Sequence, residues 1–283
     1  MSLIVEEIGE KNRTEANRYL AAHEETSQFL INNMREHGPR LAQHPNSGNF
    51  RLIRDGEDVT AVFCLARRGN LIVQADSDYS QVVLRFCKAD PVKLKGFIGE
   101  WESVAPIWKR FKTENPHYKP IYESKEIVYT YELREDDKNL KHDPRVRFLS
   151  RSDFRQWLQH SYHYMKELSV PDDLTDGQKQ SIFEQQARDK HWWGLFDGEE
   201  LLSRTALNSK GESIGQVGGV FTPWQYRKRG YAKATMFHML KDCCNLHRHR
   251  KNILFTGQTN IPAQKLYESM GYRRIGSFAV ILG

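Results

Sequence analysis

The sequence predicts a mixed α/β fold of the α+β kind, built from two similar lobes. The periodicity of the apolar residues changes repeatedly between the spacing of helices and that of strands. Residues 134–144 are polar or proline at every position except Leu140, and they divide the 283 residues nearly in half. Each half runs helix, strands, helix, strand. A chain of this length suffices for two domains. We therefore expect lobes at 1–135 and 145–283, joined by a linker at 136–144, each a mostly antiparallel sheet flanked by helices.

The first half begins with an amphipathic helical segment that ends at Gly38 and Pro39. Strand-like segments follow, and turn signals at Asp55-Gly56 and Gly69-Asn70 separate them. Pro91 favours the first turn of a further helix. The predicted elements are a helix at 14–37, strands at 50–53, 59–67 and 71–75, a helix at 91–112 and a strand at 126–133.

The second half repeats this order, with turn signals at Asp197-Gly198 and Lys210-Gly211. Its last helix starts at Asn260, a residue that can cap a helix, and ends at Gly271. The predicted elements are a strand at 146–149, helices at 152–165 and 176–187, strands at 192–196, 201–208 and 213–221, a helix at 230–247, a strand at 252–259, a helix at 260–270 and a strand from 272 onward.

Composition excludes several classes of protein. A membrane-spanning helix needs about 18 consecutive apolar residues, and runs such as Ala61 to Ala66 stop far short. The first residues lack the basic start and apolar core of a signal peptide. The four cysteines have neither a disulfide nor a metal-binding spacing. We expect a cytoplasmic protein that has no membrane partner and binds no metal.

The positive charge is concentrated near the C-terminal end of the sequence. Residues 204–283 contain 13 Lys and Arg but only 3 Asp and Glu. A basic region of this size indicates an anionic partner, which is a phosphate-bearing cofactor, a nucleic acid or an acidic protein. Composition alone leaves all three open.

Residues 217–233 form an apolar strand, a Thr-Pro turn, a basic turn and the start of a helix. The first turn of a helix has unpaired N–H groups and the positive end of the helix dipole, so it binds anions. Gly230 and Ala232 are small enough for phosphates to approach the backbone. The spacing is neither that of a Walker loop nor that of a dinucleotide fold. This pattern favours a diphosphate, with charge supplied by Arg227, Lys228, Arg229 and Lys233.

The segment Asn260–Tyr272 is a second informative stretch. Ala263, Leu266, Tyr267 and Met270 share one helix face, so Tyr267 is expected to point inward. Together, in this order and with a helix and a strand between them, the two stretches resemble the signatures of the GNAT superfamily of N-acetyltransferases. Those signatures are Gln/Arg-x-x-Gly-x-Gly/Ala, here at 227–232, and Asn-x-x-Ala-x-x-Leu-Tyr-x-x-x-Gly-Phe/Tyr.

The resemblance extends from about residue 145 to the end of the chain, whereas residues 1–135 carry neither signature and are compatible with a degenerate second copy. It implies a sheet splayed between the strands at 213–221 and 252–259, with the pantetheine arm of acetyl-CoA, the co-substrate, in the gap. Gly218 and Gly219 would allow a bulge there. The implied cofactor-binding residues are Val220, Phe221, Thr222, Arg227, Lys228, Arg229, Gly230, Tyr231, Ala232, Lys233 and Asn260.

For the chemistry, the resemblance implies attack of an amine on the acetyl thioester. Tyr267 is the expected catalytic residue, as the general acid for the departing thiolate, and an N–H near Gly219 or Val220 would stabilise the oxyanion. No general base is singled out. The strand before Asn260 reads Phe255, Thr256, Gly257 and Gln258, so it lacks a glutamate that could act as the base. The other candidates are Glu212, Gln216, His163, His191 and His238.

The sequence is therefore interpreted as an acetyl-CoA-dependent N-acetyltransferase that acts on a primary amine, in a small molecule or a peptide. Its N-terminal half would form a wall of the acceptor groove or a homodimer surface. A non-catalytic acyl-CoA-binding or sensing protein is the alternative, favoured by the missing carboxylate. A nucleic-acid-binding protein is the second alternative, although no nucleic-acid motif is present. The acceptor and the acyl length stay open.

Overall fold

A computed structural model describes residues 3–140, 143–170, 172, 174–211 and 213–283. These residues form eight α-helices and twelve β-strands, so the mixed α/β class is confirmed. None of the described helices has the length and apolarity needed to cross a membrane. The chain divides into two compact units. The first unit is Met1–Val128, Thr256–Thr259 and Ile275–Gly283, and the second unit is Tyr129–Phe255 and Asn260–Arg274.

The helices and strands have the following bounds. In the first part of the chain they are β1 Leu3–Glu7, α1 Arg13–Ala22, α2 Glu24–His37, β2 Gly48–Asp55, β3 Asp58–Ala66, β4 Asn70–Ala75, α3 Ser80–Ala89, β5 Gly96–Glu100, α4 Trp101–Glu114 and β6 Tyr122–Glu132. After these come β7 Val146–Phe148, α5 Phe154–Leu168, α6 Asp176–Arg188, β8 Trp192–Asp197, β9 Glu200–Lys210, β10 Ile214–Phe221, α7 Tyr231–Asp242, β11 Lys251–Gly257, α8 Ile261–Ser269 and β12 Arg273–Leu282.

The sheet of the first unit has the strand order β1-β2-β3-β4-β5-β12. Strands β1 to β4 are antiparallel neighbours, β5 is parallel to β4, and β12 is antiparallel to β5. Successive side chains of β3 point to opposite faces, as the twofold period of a strand requires. Val62 and Cys64 pack with Leu20 and Met34 of α1 and α2, whereas Phe63 and its neighbours pack with α3 and α4.

The predicted helix at 91–112 is wrong. The structure has α3 before it, the strand β5 at Gly96–Glu100 and helix α4 from Trp101. Pro91 lies between α3 and β5 and does not open a helix. The strand arises from long-range pairing, because β5 lies beside β4 and beside residues Phe278 to Ile281 of β12. The helix predicted at 14–37 is also interrupted, since His23 ends α1 and precedes α2.

The sheet of the second unit has the strand order β11-β10-β9-β8-β7, and the end of β6, from Tyr129 onward, lies beside β11. Strands β10, β9, β8 and β7 are antiparallel neighbours, and β11 is parallel to β10. One face is covered by α5 and α6, where Trp157 and Phe183 pack with Ala206 of β9. The other face is covered by α7, where Thr205 of β9 contacts Met239. Residues of β9 therefore alternate between the two helical layers.

The predicted linker at 136–144 contains regular structure. Glu135–Asn139 form a 3₁₀ helix, and Asp137 is buried, accepting hydrogen bonds from Tyr131 Oη at 2.8 Å and from the Arg134 N–H at 2.7 Å. Residues 141 and 142 lie outside the described residues. The two compact units are not the same segments as 1–135 and 145–283, because Ile275–Gly283 belong to the first unit. The boundary drawn from the sequence stays a prediction.

A bulge interrupts the end of β10. Gly218 lies opposite Ala206 and Phe221 lies opposite Arg204, so three steps along β10 match two along β9. Gly219 has a φ of +58°, and a Cβ on it would lie 2.6 Å from the Trp192 ring. Only glycine adopts this positive φ without strain and has no Cβ that would collide with Trp192. The bulge expected at the glycine pair is therefore present.

Replacing Gly219 with alanine should destabilise the protein, because the new Cβ meets Trp192 in a left-handed backbone conformation. We expect the free energy of unfolding in urea to fall by about 1–3 kcal/mol. Gly276→Ala is the matched control, since a Cβ at Gly276 has nothing within 4 Å and the backbone φ is ordinary. Equal losses in the two variants would show that the bulge does not require glycine.

Candidate functional site

The basic turn before α7 has the backbone geometry of an anion site. Gly230 is the residue before the helix and has a φ of +79°, and Lys228 has a φ of +62°. Left-handed residues in alternation with ordinary ones are the backbone pattern of anion-binding N–H concavities. A Cβ built on Gly230 would have nothing within 4 Å, so the helix start is open to a ligand. The first-turn N–H groups therefore fit a phosphate group.

The basic side chains of this turn have different surroundings. Lys228 and Arg229 are exposed. Arg227 donates to both carboxylate oxygens of Glu167, at 2.7 and 2.6 Å, and its Nε donates to the Thr222 carbonyl at 2.9 Å. Its charge is thus paired, and its side chain connects α5 to the turn. Lys228 and Arg229 remain as the exposed cations beside the start of α7.

Lys233 lies in the first turn of α7 and reaches α8. Its Nζ donates to the carbonyl and to the hydroxyl of Ser269, at 3.2 and 3.3 Å. Tyr231 and Ala232, the first two residues of α7, are half-buried, and the Arg145 guanidinium lies 5.5 Å from the Tyr231 ring centre. The helix that begins at the basic turn is therefore adjacent to the helix that carries Tyr267.

The end of β10 supplies the backbone predicted to pair with pantetheine. The parallel register with β11 runs from Ile214 opposite Lys251 to Val217 opposite Leu254, and β10 continues to Phe221. Val220 lies inside the bulge and is half-buried. The Phe221 carbonyl accepts from Ser203 Oγ at 3.4 Å. The pairing of β10 with β11 thus stops before the bulge. This is the position at which the resemblance implied that the sheet is splayed.

Helix α8 holds Tyr267 toward the interior, as predicted. Asn260 caps the helix, its Oδ1 accepting from the Ala263 N–H at 3.3 Å. Tyr267 is buried, with its ring centre 6.0 Å from that of Tyr129 and 5.9 Å from that of Tyr272. The apolar helix face and its cap are both confirmed.

Two further tyrosines surround Tyr267. Tyr129 Oη donates to Glu268 at 2.9 Å; burial raises the pKa of Tyr129, and the bond to Glu268 acts in the same direction. Tyr272 is buried, and its Oη has no hydrogen-bond partner among the described residues. Burial also raises the pKa of Tyr272. Both phenols therefore stay protonated at neutral pH and can only donate or accept hydrogen bonds.

The structure does not select a general base from the weighed residues. Glu212 lies outside the described residues. Gln216 is buried in β10, opposite Ile253 of β11. His163 is exposed. His191 Nδ1 lies 2.6 Å from the Leu207 carbonyl, and His238 Nε2 lies 3.6 Å from Asp242.

Sequence reasoning missed a buried polar cluster on the α5 side of the sheet. Its central residue is Arg204 of β9, which is 2% exposed. Residues 201–207 also contain Ser203 and Thr205, so Arg204 does not stand out in the sequence as a buried cation. Three tryptophans of the second unit differ in burial: Trp193 is 0% exposed and Trp192 7%, whereas Trp224 is 79% exposed. Trp192 belongs to the cluster, because the Arg204 guanidinium lies 4.8 Å from its ring centre.

One known protein family matches a segment that includes most of the second unit. Residues 151–272 match the model of the acetyltransferase (GNAT) family. The resemblance found from the sequence is thus confirmed for a GNAT acetyltransferase domain at residues 151–272, and acyltransferase is the enzyme class that this match supports. No curated protein matches the chain by sequence.

Solved structures share the fold along nearly the whole chain. A Drosophila protein is 14% identical, with a TM-score of 0.68 and coverage of 100% of this chain and 99% of its own. A GCN5-related N-acetyltransferase from Sphaerobacter thermophilus is 12% identical, with a TM-score of 0.62 and coverage of 99% and 94%. A tandem GNAT protein from the clavulanic acid biosynthesis pathway is 12% identical, with a TM-score of 0.51 and coverage of 99% and 97%. These matches confirm the predicted GNAT-like fold.

Removing the cap of α8 should weaken the protein. Asn260→Ala deletes the oxygen that accepts from Ala263, and we expect the free energy of unfolding in urea to fall by about 1 kcal/mol. Asn260→Asp keeps an accepting oxygen at that position and should unfold at nearly the parent's urea concentration. An alanine variant as stable as the parent would contradict a capping role for Asn260.

Proposed function

We propose that the second unit is an N-acetyltransferase that transfers the acetyl group of acetyl-CoA directly to a primary amine. The observation that carries the proposal is the turn Arg227–Lys233, where left-handed residues at 228 and 230 open the start of α7. This turn follows the bulged end of β10 after a short 3₁₀ helix at Trp224–Tyr226. An anion site thus lies near the end of β10, where the pairing with β11 has stopped. This arrangement suits a ligand that has a diphosphate and an extended arm with amide groups.

The residues fit the coenzyme in two ways. The N–H groups of Tyr231, Ala232 and Lys233 would donate hydrogen bonds to the diphosphate, with charge from Lys228 and Arg229. Arg227 would hold the turn in place through Glu167 rather than bind phosphate itself. Backbone groups from Val220 to Thr222 would pair with the pantetheine amides as an added strand does. Asn260 would contribute by capping α8.

In the reaction the amine nitrogen bonds to the acetyl carbon, the carbon–sulfur bond breaks, and the sulfur leaves with the electron pair. An N–H of Gly219 or Val220 would stabilise the oxyanion that forms on the way. Tyr267 would give its proton to the departing sulfur. The attacking nitrogen loses one proton as the amide forms, and that proton would return to the Tyr267 phenolate, directly or through solvent. Because the structure selects no base, we propose that the amine enters in its unprotonated form. The rate should then rise with pH until the amine is fully deprotonated.

The competing function is coenzyme binding without catalysis. It is favoured by the residues before Asn260, which are Phe255, Thr256, Gly257 and Gln258 and include no carboxylate. Turnover with any amine distinguishes the two.

We place the protein in the cytoplasm, because all four cysteines are free thiols, as a reducing compartment favours.

Adding a negative charge at the start of α7 should abolish coenzyme binding. In Ala232→Glu the carboxylate lies where the diphosphate would bind, while every basic side chain is kept. We expect titration calorimetry with coenzyme A to give binding for the parent and none for this variant. Ala21→Glu adds the same charge at an exposed position of α1 and should bind as the parent does. Binding retained by Ala232→Glu would place the phosphates elsewhere.

Removing the phenol of Tyr267 should slow catalysis without weakening coenzyme binding. In Tyr267→Phe we expect kcat to fall about 100-fold, because the departing sulfur loses its proton donor, and the KM for acetyl-CoA to stay unchanged. Release of coenzyme A, followed with a thiol reagent, measures both. Tyr272→Phe removes the neighbouring buried hydroxyl and should leave kcat near the parent value. A loss confined to the Tyr272 variant would assign the acid role to Tyr272.

A further inference from the structure

A buried arginine lies among aromatic rings on the α5 side of the sheet. The Arg204 guanidinium is 4.8 Å from the ring centre of Trp192, 5.3 Å from that of Trp157 and 5.8 Å from that of Tyr164. One of its Nη atoms donates to Ser161 Oγ at 3.0 Å. We call Arg204, Trp157, His160, Ser161, Tyr164 and Trp192 the Arg204 cluster.

The charge of Arg204 has no carboxylate partner in the described part of the chain. Burial lowers the pKa of Arg204 to about 9. Arg204 is therefore still a cation at neutral pH. An isolated buried charge is costly unless it is paired. The rings reduce this cost through cation–π contacts but do not replace an anion.

Three nitrogens of the cluster have no hydrogen-bond partner among the described residues. They are Arg204 Nε, Trp157 Nε1 and His160 Nδ1. Two of them, on the guanidinium and the indole, can only donate a hydrogen bond. Burial lowers the pKa of His160 to about 3, and the charge of Arg204 acts in the same direction, so the imidazole is neutral. The cluster thus combines a buried positive charge with unused donors.

The cluster borders the proposed site of transfer. Arg204 is the β9 residue opposite Phe221, where the bulge of β10 ends. Phe221 also contacts the rings of His160 and Tyr164, at 5.5 and 6.0 Å between centres. Thr205, the next residue of β9, faces α7. The cluster and the diphosphate helix therefore lie on opposite faces of the same strands.

We propose that Arg204 binds the carboxylate of the acceptor, and that the acceptor is a free amino acid. This inference rests on the proposed function, because it assumes that the bulge is where the amine is acetylated. A carboxylate accepts two hydrogen bonds in the geometry that a guanidinium offers. It would use the Nε donor and neutralise the charge. Tyr164 is half-buried, unlike the buried rings of Trp157, Trp192 and Phe221, and the acceptor would enter beside it.

This assignment separates amino acids from other amines. A polyamine or an amino acid amide would leave the guanidinium buried and unpaired, and a polyamine would add a second positive charge beside it. Sites built to pair with a polar group discriminate strongly against ligands that lack it. The carboxylate is then the feature that Arg204 selects.

Matched substrate pairs test the proposal. Alanine and alaninamide, and glycine and glycinamide, differ only in the carboxylate, and rates are compared per unprotonated amine because the amides are weaker bases. We expect the parent to favour the acids at least 100-fold in kcat/KM. Arg204→Met should lose this preference, because kcat/KM falls for the acids and not for the amides. Arg204→Lys keeps the positive charge and should retain part of the preference. A parent with no preference, or a methionine variant that keeps it, would overturn the proposal.

Controls separate this proposal from the proposed function. Titration with coenzyme A should give each Arg204 variant the parent's affinity, and a single cooperative thermal melt shows that each variant is folded. Because an unpaired buried charge is costly, Arg204→Met should melt no lower than the parent. If the parent turns over no amine, its melting temperature is measured with each common amino acid and its amide in the presence of coenzyme A. A rise with the acids that Arg204→Met abolishes would support the carboxylate site while removing the acetyltransferase assignment. No rise with any acid would overturn the carboxylate site.

Discussion

The end of the parallel pairing between β10 and β11 is the constraint on which the proposed site depends. After Val217 opposite Leu254, β10 continues through a bulge that only glycine can form at position 219. Backbone groups that leave a ladder need other partners, and the coenzyme arm is proposed to provide them. From the end of β10 the chain passes through Pro223 and a 3₁₀ helix at Trp224–Tyr226 into the basic turn.

The charges near the bulge are divided between the two faces of the sheet. On the α7 side, Lys228 and Arg229 are exposed beside unpaired helix N–H groups, which suits a mobile, highly charged coenzyme. On the α5 side, Arg204 is buried among rings, which suits one small carboxylate. Arg227 belongs to neither group, because Glu167 pairs with it and fixes the turn. Cations that look alike in the sequence therefore differ in the ligands that they can bind.

Sequence reasoning succeeded where the signal was local. The capped helix at Asn260, the glycine bulge and the strands bounded by Asp197-Gly198 depend on residues a few positions apart. It failed at β5, whose strand conformation comes from pairing with β4 and β12. The pairing of Arg227 with Glu167, 60 positions away, and the burial of Arg204 under α5 were likewise out of reach. Both depend on how a helix packs over the sheet, which spacing does not encode.

The most direct test of the coenzyme site is hydrogen–deuterium exchange of the whole chain with and without saturating acetyl-CoA. We expect slower exchange of the amides at 218–222 and 228–233, where the coenzyme arm and the diphosphate would bind. Amides at the opposite end of β10, near Ile214, are already paired with β11 and should change little. Protection confined to other segments, or no protection at all, would contradict coenzyme binding at the bulge and at the start of α7.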